Sequence, residues 1–112
     1  MRKLIATTNV ATDEGEETFS LDYYILEKEV SIEGITVSRF GLEIYKRAKR
    51  KNGTGYAEYR KIFDLFATEQ EAEEVLRLMA RNTVTPISMK DILEDLLGSH
   101  EFIDEVVLAE VC

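Results

Sequence analysis

The chemistry of this chain has to be sought first among its cations. The densest run of like-signed side chains is Lys46, Arg47, Lys49, Arg50 and Lys51, with Arg60 and Lys61 a few positions on. A turn at Asn52-Gly53-Thr54-Gly55 separates the two groups, and a hairpin there would bring all seven positive charges toward one end of a sheet. Such a tip can hold phosphate oxygens or an acidic protein surface, with Tyr45, Tyr56 and Tyr59 beside it as stacking faces. The competing reading is a solvated loop whose lysines keep a strand edge from pairing with other chains, and that reading is the stronger. Gly53-Thr54-Gly55 is not a phosphate loop, since no Gly-Lys-Ser/Thr follows and the next element reads as a strand.

Carboxylates are the other abundant group. Glu73-Glu74, Glu94-Asp95 and Asp104-Glu105 are adjacent pairs, and neighbours on a helix point in different directions, so none makes a shared acid-base site. Asp13-Glu14-Gly15-Glu16-Glu17 lacks the alternate oxygen ligands and late glutamate of a calcium loop and reads as solvated. His100 is the only histidine, which rules out a two-histidine metal site or a serine-histidine relay with a spare partner. It is expected at the surface, or as a pH-sensitive contact at an interface. Cys112 is the only cysteine, at the last position, so no internal disulfide forms and a positioned nucleophile is not expected there. The expectation is a non-enzyme with no catalytic residue, no metal ligand and no cofactor.

The elements that would position these groups begin with residues 21–66, which read as three long strands in succession. Leu21 to Ile32 and Ile35 to Tyr45 are rich in β-branched and aromatic residues, with only Glu33-Gly34 between them. That two-residue loop sets Ile32 opposite Ile35, Val30 opposite Val37, Ile25 opposite Leu42 and Tyr23 opposite Ile44. The apolar side then switches partway along, and Lys28 falls opposite Arg39, a destabilising like-charge pair. A bulge at Gly41 would restore one apolar face; the alternative is an unbulged ribbon covered on both faces. Lys3 to Val10 is a candidate first strand with Leu4, Ala6, Thr8 and Val10 on one side. Tyr56 to Phe66 is the last strand of the meander, with Ala57, Tyr59, Phe63 and Leu65 alternating against Glu58, Arg60 and Asp64, while Ile62 and Phe66 break the polar side.

Helix signals follow. Thr68 and Glu71 form a capping box, and Ala72, Val75, Leu76 and Met79 repeat as a core stripe that should stop near Asn82, before Pro86. Ser88 and Asp91 are spaced as a second cap, with Met89, Ile92, Leu93, Leu96 and Leu97 as an apolar stripe ending at Gly98. In residues 99–112, Phe102, Ile103, Val106 and Val107 repeat at helical spacing with Ser99 as cap, so a third helix is expected, although Val106 to Ala109 could extend as a strand. A tail this apolar must pack on its own domain or on a second copy, which makes a homodimer one expected assembly.

The length of 112 residues fits one domain that buries about two thirds of its unfolded surface. At 45% hydrophobic and 32% charged, the composition is that of a soluble globular protein. There is no apolar run near membrane-spanning length and no signal-peptide core, and a cytoplasmic location is expected. The formal charge of −8 resides in residues 68–112, which hold eleven acids against Arg77, Arg81 and Lys90, and this balance disfavours generic nucleic-acid binding.

The order of a Tyr-Tyr-x-Leu strand, a glycine-bearing hairpin, a variable loop, a strand running into a glutamate-rich helix, and then Val84-Thr85-Pro86-Ile87-Ser88-Met89-Lys90-Asp91-Ile92-Leu93-Glu94-Asp95-Leu96-Leu97 resembles a family of small uncharacterised proteins from clostridia and related Firmicutes. The resemblance covers residues 21–97 and implies a bacterial cytoplasmic origin and no activity. The expected fold is a single α+β domain over residues 1–112. A three- to four-stranded antiparallel β-meander at residues 19–66 has two to three C-terminal helices packed on one face, after a short strand and acidic loop in residues 1–18. The expected function is a non-catalytic protein-interaction or regulatory module; the alternative is a nucleic-acid or phosphate contact through residues 46–61.

Overall fold

Among the described residues the chain forms, in order, β1 (Arg2–Ala11), β2 (Glu17–Ile32), β3 (Ile35–Arg50), β4 (Gly55–Phe66), α1 (Glu69–Arg81), α2 (Pro86–Leu97) and β5 (Ile103–Val111). The structure is a computed structural model that describes residues 1–12, 17–98 and 101–111, the last three as backbone only. Asp13, Glu14, Gly15, Glu16, Ser99, His100 and Cys112 lie outside the described residues, and with them most of the acidic loop, the expected Ser99 cap and the expectations for the lone histidine and cysteine. The class is α+β, but the sheet has five antiparallel strands in the order β1-β2-β3-β4-β5, more than the three or four expected.

The hairpin of β2 and β3 follows its alternation. Glu33 and Gly34 both take left-handed backbone, with φ of 51° and 80°. A two-residue loop needs this to match the strand twist, and Gly34 adopts it without a Cβ to strain. From there Ile32 pairs with Ile35, Val30 with Val37, Ile25 with Leu42 and Tyr23 with Ile44 without interruption. The ribbon runs through Gly41 unbulged, contrary to expectation, and Lys28 stands opposite Arg39. Their repulsion is relieved sideways: Arg39 Nε bonds the Asp64 carboxylate, and the Lys28 ammonium lies 5.8 Å from the Phe63 ring centroid.

Gly41 serves a different neighbour. A Cβ there would come within 2.8 Å of Phe63 Cα, so the bare backbone is what lets β4 approach β3 closely. The irregularity sits on that side: Phe40 pairs with Phe66 but Leu42 with Ile62, and Asp64 takes a φ of 56°. Ile62 and Phe66 enter the core while Tyr59 lies on the other side, so the side of β4 that alternation marked as polar is the one that faces the helices, and the shift puts Phe66 rather than Asp64 opposite Phe40. A second register shift, between Leu4 and Ala6, is of one residue and changes the side that alternate residues of β1 face. Ala6 pairs with Tyr23, and Ile5 and Ala6 pack on the core, while Leu4 leaves the expected row and is 51% exposed.

The two helices cover one side of the sheet. Thr68 Oγ1 accepts from the Glu71 N–H at 3.2 Å, and Ala72, Leu76 and Met79 are buried, as the sequence predicts. The helix ends with Asn82 as its C-cap. For α2 the cap is Thr85 rather than Ser88. Pro86 takes the first helical position, where a missing N–H leaves nothing unpaired, and Ser88 Oγ accepts from the Thr85 N–H at 3.2 Å. Pro86, Met89 and Leu93 are buried, but Leu96 is 46% and Leu97 37% exposed, so the expected stripe loses its cover after Leu93. Below the helices lie Leu21, Tyr23, Ile25, Leu42, Ile44 and Ile62, each fully buried. Removing such a side chain from water contributes about 1.5 to 3 kcal/mol.

The expected third helix is a strand. β5 pairs antiparallel with β4, placing Val107 opposite Tyr59 and Glu105 opposite Lys61. Asp104 lies 3.4 Å from Arg60 and Glu105 lies 3.5 Å from Lys61, contacts that local periodicity does not register. The molecule is elongated, 54 × 25 × 23 Å. β1 starts opposite Leu26 and β4 ends opposite Phe40, so residues 28–39 continue past both neighbours as a two-stranded arm.

Candidate functional site

Alternation along β3 sends successive cations to opposite sides of the sheet. Lys46 points to the helix-covered side, 13% exposed, with its ammonium 3.6 Å from Glu17 and 4.6 Å from the Phe19 ring centroid. Arg47 points to the open side and donates to Asp22 Oδ2 at 3.0 Å. Arg50 places its guanidinium 4.3 Å from the Tyr56 ring centroid. Arg60 and Lys61 pair with Ile44 and Glu43 in mid-strand, away from the turn, and meet the β5 carboxylates already described. Lys49 and Lys51 are exposed. The turn itself is closed by Arg50 N–H to the Thr54 carbonyl and Gly53 N–H to the Arg50 carbonyl, both at 2.9 Å. Of the seven cations, the structure gathers Lys49, Arg50 and Lys51 there and divides Lys46, Arg47, Arg60 and Lys61 between two faces, each beside a carboxylate.

The tyrosines divide in the same way. Tyr45 and Tyr59 stack on the open side with centroids 6.2 Å apart and planes 5° from parallel. Tyr56 lies on the other side and donates to Glu17 Oε1 at 2.6 Å. Burial first, and the Glu17 contact second, hold its phenol above the usual range against the opposing pull of Lys46.

The open side is a lattice of cross-strand pairs. Arg2 donates to both Glu43 oxygens, at 2.6 and 3.2 Å, and lies 3.6 Å from the Tyr24 ring centroid. Glu43 is 1% exposed beneath it, and the paired carboxylate raises the guanidinium's affinity for its proton above the ordinary value, against the cost of burial. The Thr7 hydroxyl donates to Asp22 Oδ1 at 2.9 Å. A shallow depression of about 540 Å³ opens between Arg2, Tyr24, Tyr45 and Arg47. Its walls offer stacking surface, but both arginines already hold a carboxylate. Among the described residues no three His, Cys, Asp or Glu side chains gather as a metal ion needs, and no helix is long and apolar enough to cross a membrane.

The arm presents the opposite chemistry. Val30, Ile32, Ile35 and Val37 occupy the side that alternation joins to the open face, away from the helices. Ile32 is 54% and Ile35 64% exposed, while Val30 and Val37 are half-buried. The other side of the arm carries Glu29, Ser31, Thr36 and Ser38, with the Ser38 hydroxyl donating to Glu27 at 2.8 Å. The switch of apolar side is legible in the sequence, and the uninterrupted register leaves Ile32 and Ile35 exposed at the end of the arm.

Fold and surface together define an α+β protein in which a helix pair backs one side of a five-stranded sheet and a hairpin arm extends the sheet with an apolar side uncovered. The chain belongs to a family of unknown function (DUF6514), whose model matches residues 1–99. The match takes in β1, which precedes the stretch carrying the resemblance, and leaves out β5. No curated protein and no solved structure matches the chain.

Proposed function

We propose that this chain is a non-catalytic protein-interaction module of the bacterial cytoplasm, in clostridia or related Firmicutes, and that it meets its partner through the apolar side of the β2–β3 arm. The observation that carries this reading is the exposure of Ile32 and Ile35 on the side of the arm that faces away from the helices. Contiguous β-branched side chains in water mark interaction surfaces, and an unaccompanied two-stranded ribbon has little stability of its own to justify them. The second expected surface, the C-terminal tail, offers Ile103, Val106 and Leu108 on the outer strand β5. A nucleic-acid contact through residues 46–61 is the weaker reading, since four of its seven cations sit beside carboxylates.

The test compares the wild-type chain with an Ile32→Lys/Ile35→Lys variant as baits in a lysate of the source organism. The urea midpoint of the variant should stay within about 0.5 kcal/mol of wild type, as for surface substitutions. A captured protein that disappears with the variant supports the reading, and identical capture by both baits removes the arm from it.

A further inference from the structure

We propose that the arm packs against the arm of a second copy, face to face and antiparallel, to form a two-fold homodimer. This inference rests on the interaction reading above and names the partner for the same surface.

Self-complementarity carries it. In an isologous contact the same patch must serve both sides, so its apolar rows and its charges have to match when the patch is inverted on itself. The arm has two apolar rows, Val30 with Val37 and Ile32 with Ile35. Inverting one arm on another sets each isoleucine row over the partner's valine row. The charges match in the same register. On this side the base of the arm carries Lys28 and Arg39, with a single carboxylate, Asp64, on Arg39. Lys28 is exposed, and among the described residues it meets a ring rather than a carboxylate. The tip carries Glu33, exposed at the turn. At about 3.3 Å per residue, the tip lies roughly 17 Å from the Lys28 row, and overlapping the apolar rows brings the Glu33 of each copy to the cationic base of the other. The Lys28 ammonium, which meets no carboxylate of its own copy among the described residues, is answered by the second. Two short rows make a small interface of the weak, transient kind, so association is expected at high protein concentration.

The experiment is sedimentation equilibrium of the full chain over micromolar to high micromolar concentrations. Wild type should approach twice its 12.8 kDa mass. Ile32→Lys/Ile35→Lys should remain monomeric. Lys28→Glu and Glu33→Lys should each weaken association by about tenfold, and the double reversal should restore it. Lys28→Glu also removes the like-charge pair with Arg39, so its urea midpoint should not fall and loss of dimer cannot be ascribed to unfolding. A wild-type chain that stays monomeric throughout overturns the proposal. So does a dimer that the arm variants leave intact and Val106→Lys/Leu108→Lys disrupts, which would assign the assembly to the C-terminal tail. Capture of a partner that is lost with the arm variant, from a chain that stays monomeric, would leave the interaction reading standing and defeat only the homodimer.

Discussion

Tyr23 ties the sheet to the connection between the helices through one hydroxyl. Its ring is fully buried, and its OH donates to the Val84 carbonyl at 3.0 Å. Burial raises the phenol above its ordinary value of 10.0, with Thr8 opposing. A proton held more tightly in the fold than in the unfolded chain contributes stability that is fully present below about pH 10 and is lost as pH rises through the folded value. Tyr23→Phe should therefore cost about 1 kcal/mol at pH 7, and the gap to wild type should narrow above pH 10. Urea midpoints at both pH values read this directly, and parallel profiles would show that ionisation of Tyr23 is not linked to folding. Tyr56 shifts in the same direction, so only the difference between the two proteins is diagnostic. At this scale the sequence shows which residues are unusual better than it shows why. Gly41 stands out as a special position from composition alone, but its constraint comes from the Phe63 backbone on another strand, which no local pattern contains. Leu4 looks like a core residue until a register shift one position later turns it outward.

Elements defined by local chemistry are the ones the sequence resolves. The Glu33-Gly34 loop and the alternation around it give the pairing of β2 with β3 from the turn to Gly41, where the expected bulge is absent and the same register continues, and the Thr68 box places the start of α1. Elements decided by distant partners are not resolved in this way. Val106-Val107-Leu108-Ala109 satisfies helical and extended patterns alike, and the outcome is set by the free edge of β4 and its Arg60 and Lys61. The stripe of α2 shows which side of the helix is apolar, but how far the sheet extends beneath it depends on how the helix crosses β3 and β4. That crossing gives a paired prediction. Leu93, fully buried, should lose about 2 to 5 kcal/mol on substitution by alanine, whereas Leu96, 46% exposed, should change by no more than about 0.5 kcal/mol. Chemical denaturation of the two variants decides it. Equal losses would mean that Leu96 is covered in solution by a second chain.

The whole molecule carries 22 acids against 14 bases, and the fold deploys them unequally. The acids of α1 and α2 lie on the helix side of the sheet, while ten of the fourteen bases sit on strands, six of them beside carboxylates of other strands. A protein gains affinity for nucleic acid by releasing counterions from phosphates that it neutralises, and a cation already bonded to a carboxylate contributes little to that release. Lys46, Arg47, Arg60 and Lys61 are so bonded, which leaves Lys49, Arg50 and Lys51 at the β3–β4 turn. At about −0.9 per neutralised phosphate, the logarithm of affinity for duplex DNA should fall with the logarithm of salt at a slope no steeper than roughly −3. The net charge of −8 adds repulsion on top. Fluorescence anisotropy with a labelled oligonucleotide should accordingly show shallow binding at low salt and none that saturates near 150 mM. A slope near −6, or saturable binding at 150 mM that vanishes in a Lys49→Gln/Arg50→Gln/Lys51→Gln variant, would mean that the paired cations exchange their carboxylates for phosphates. The turn, rather than the arm, would then be the functional surface of the molecule.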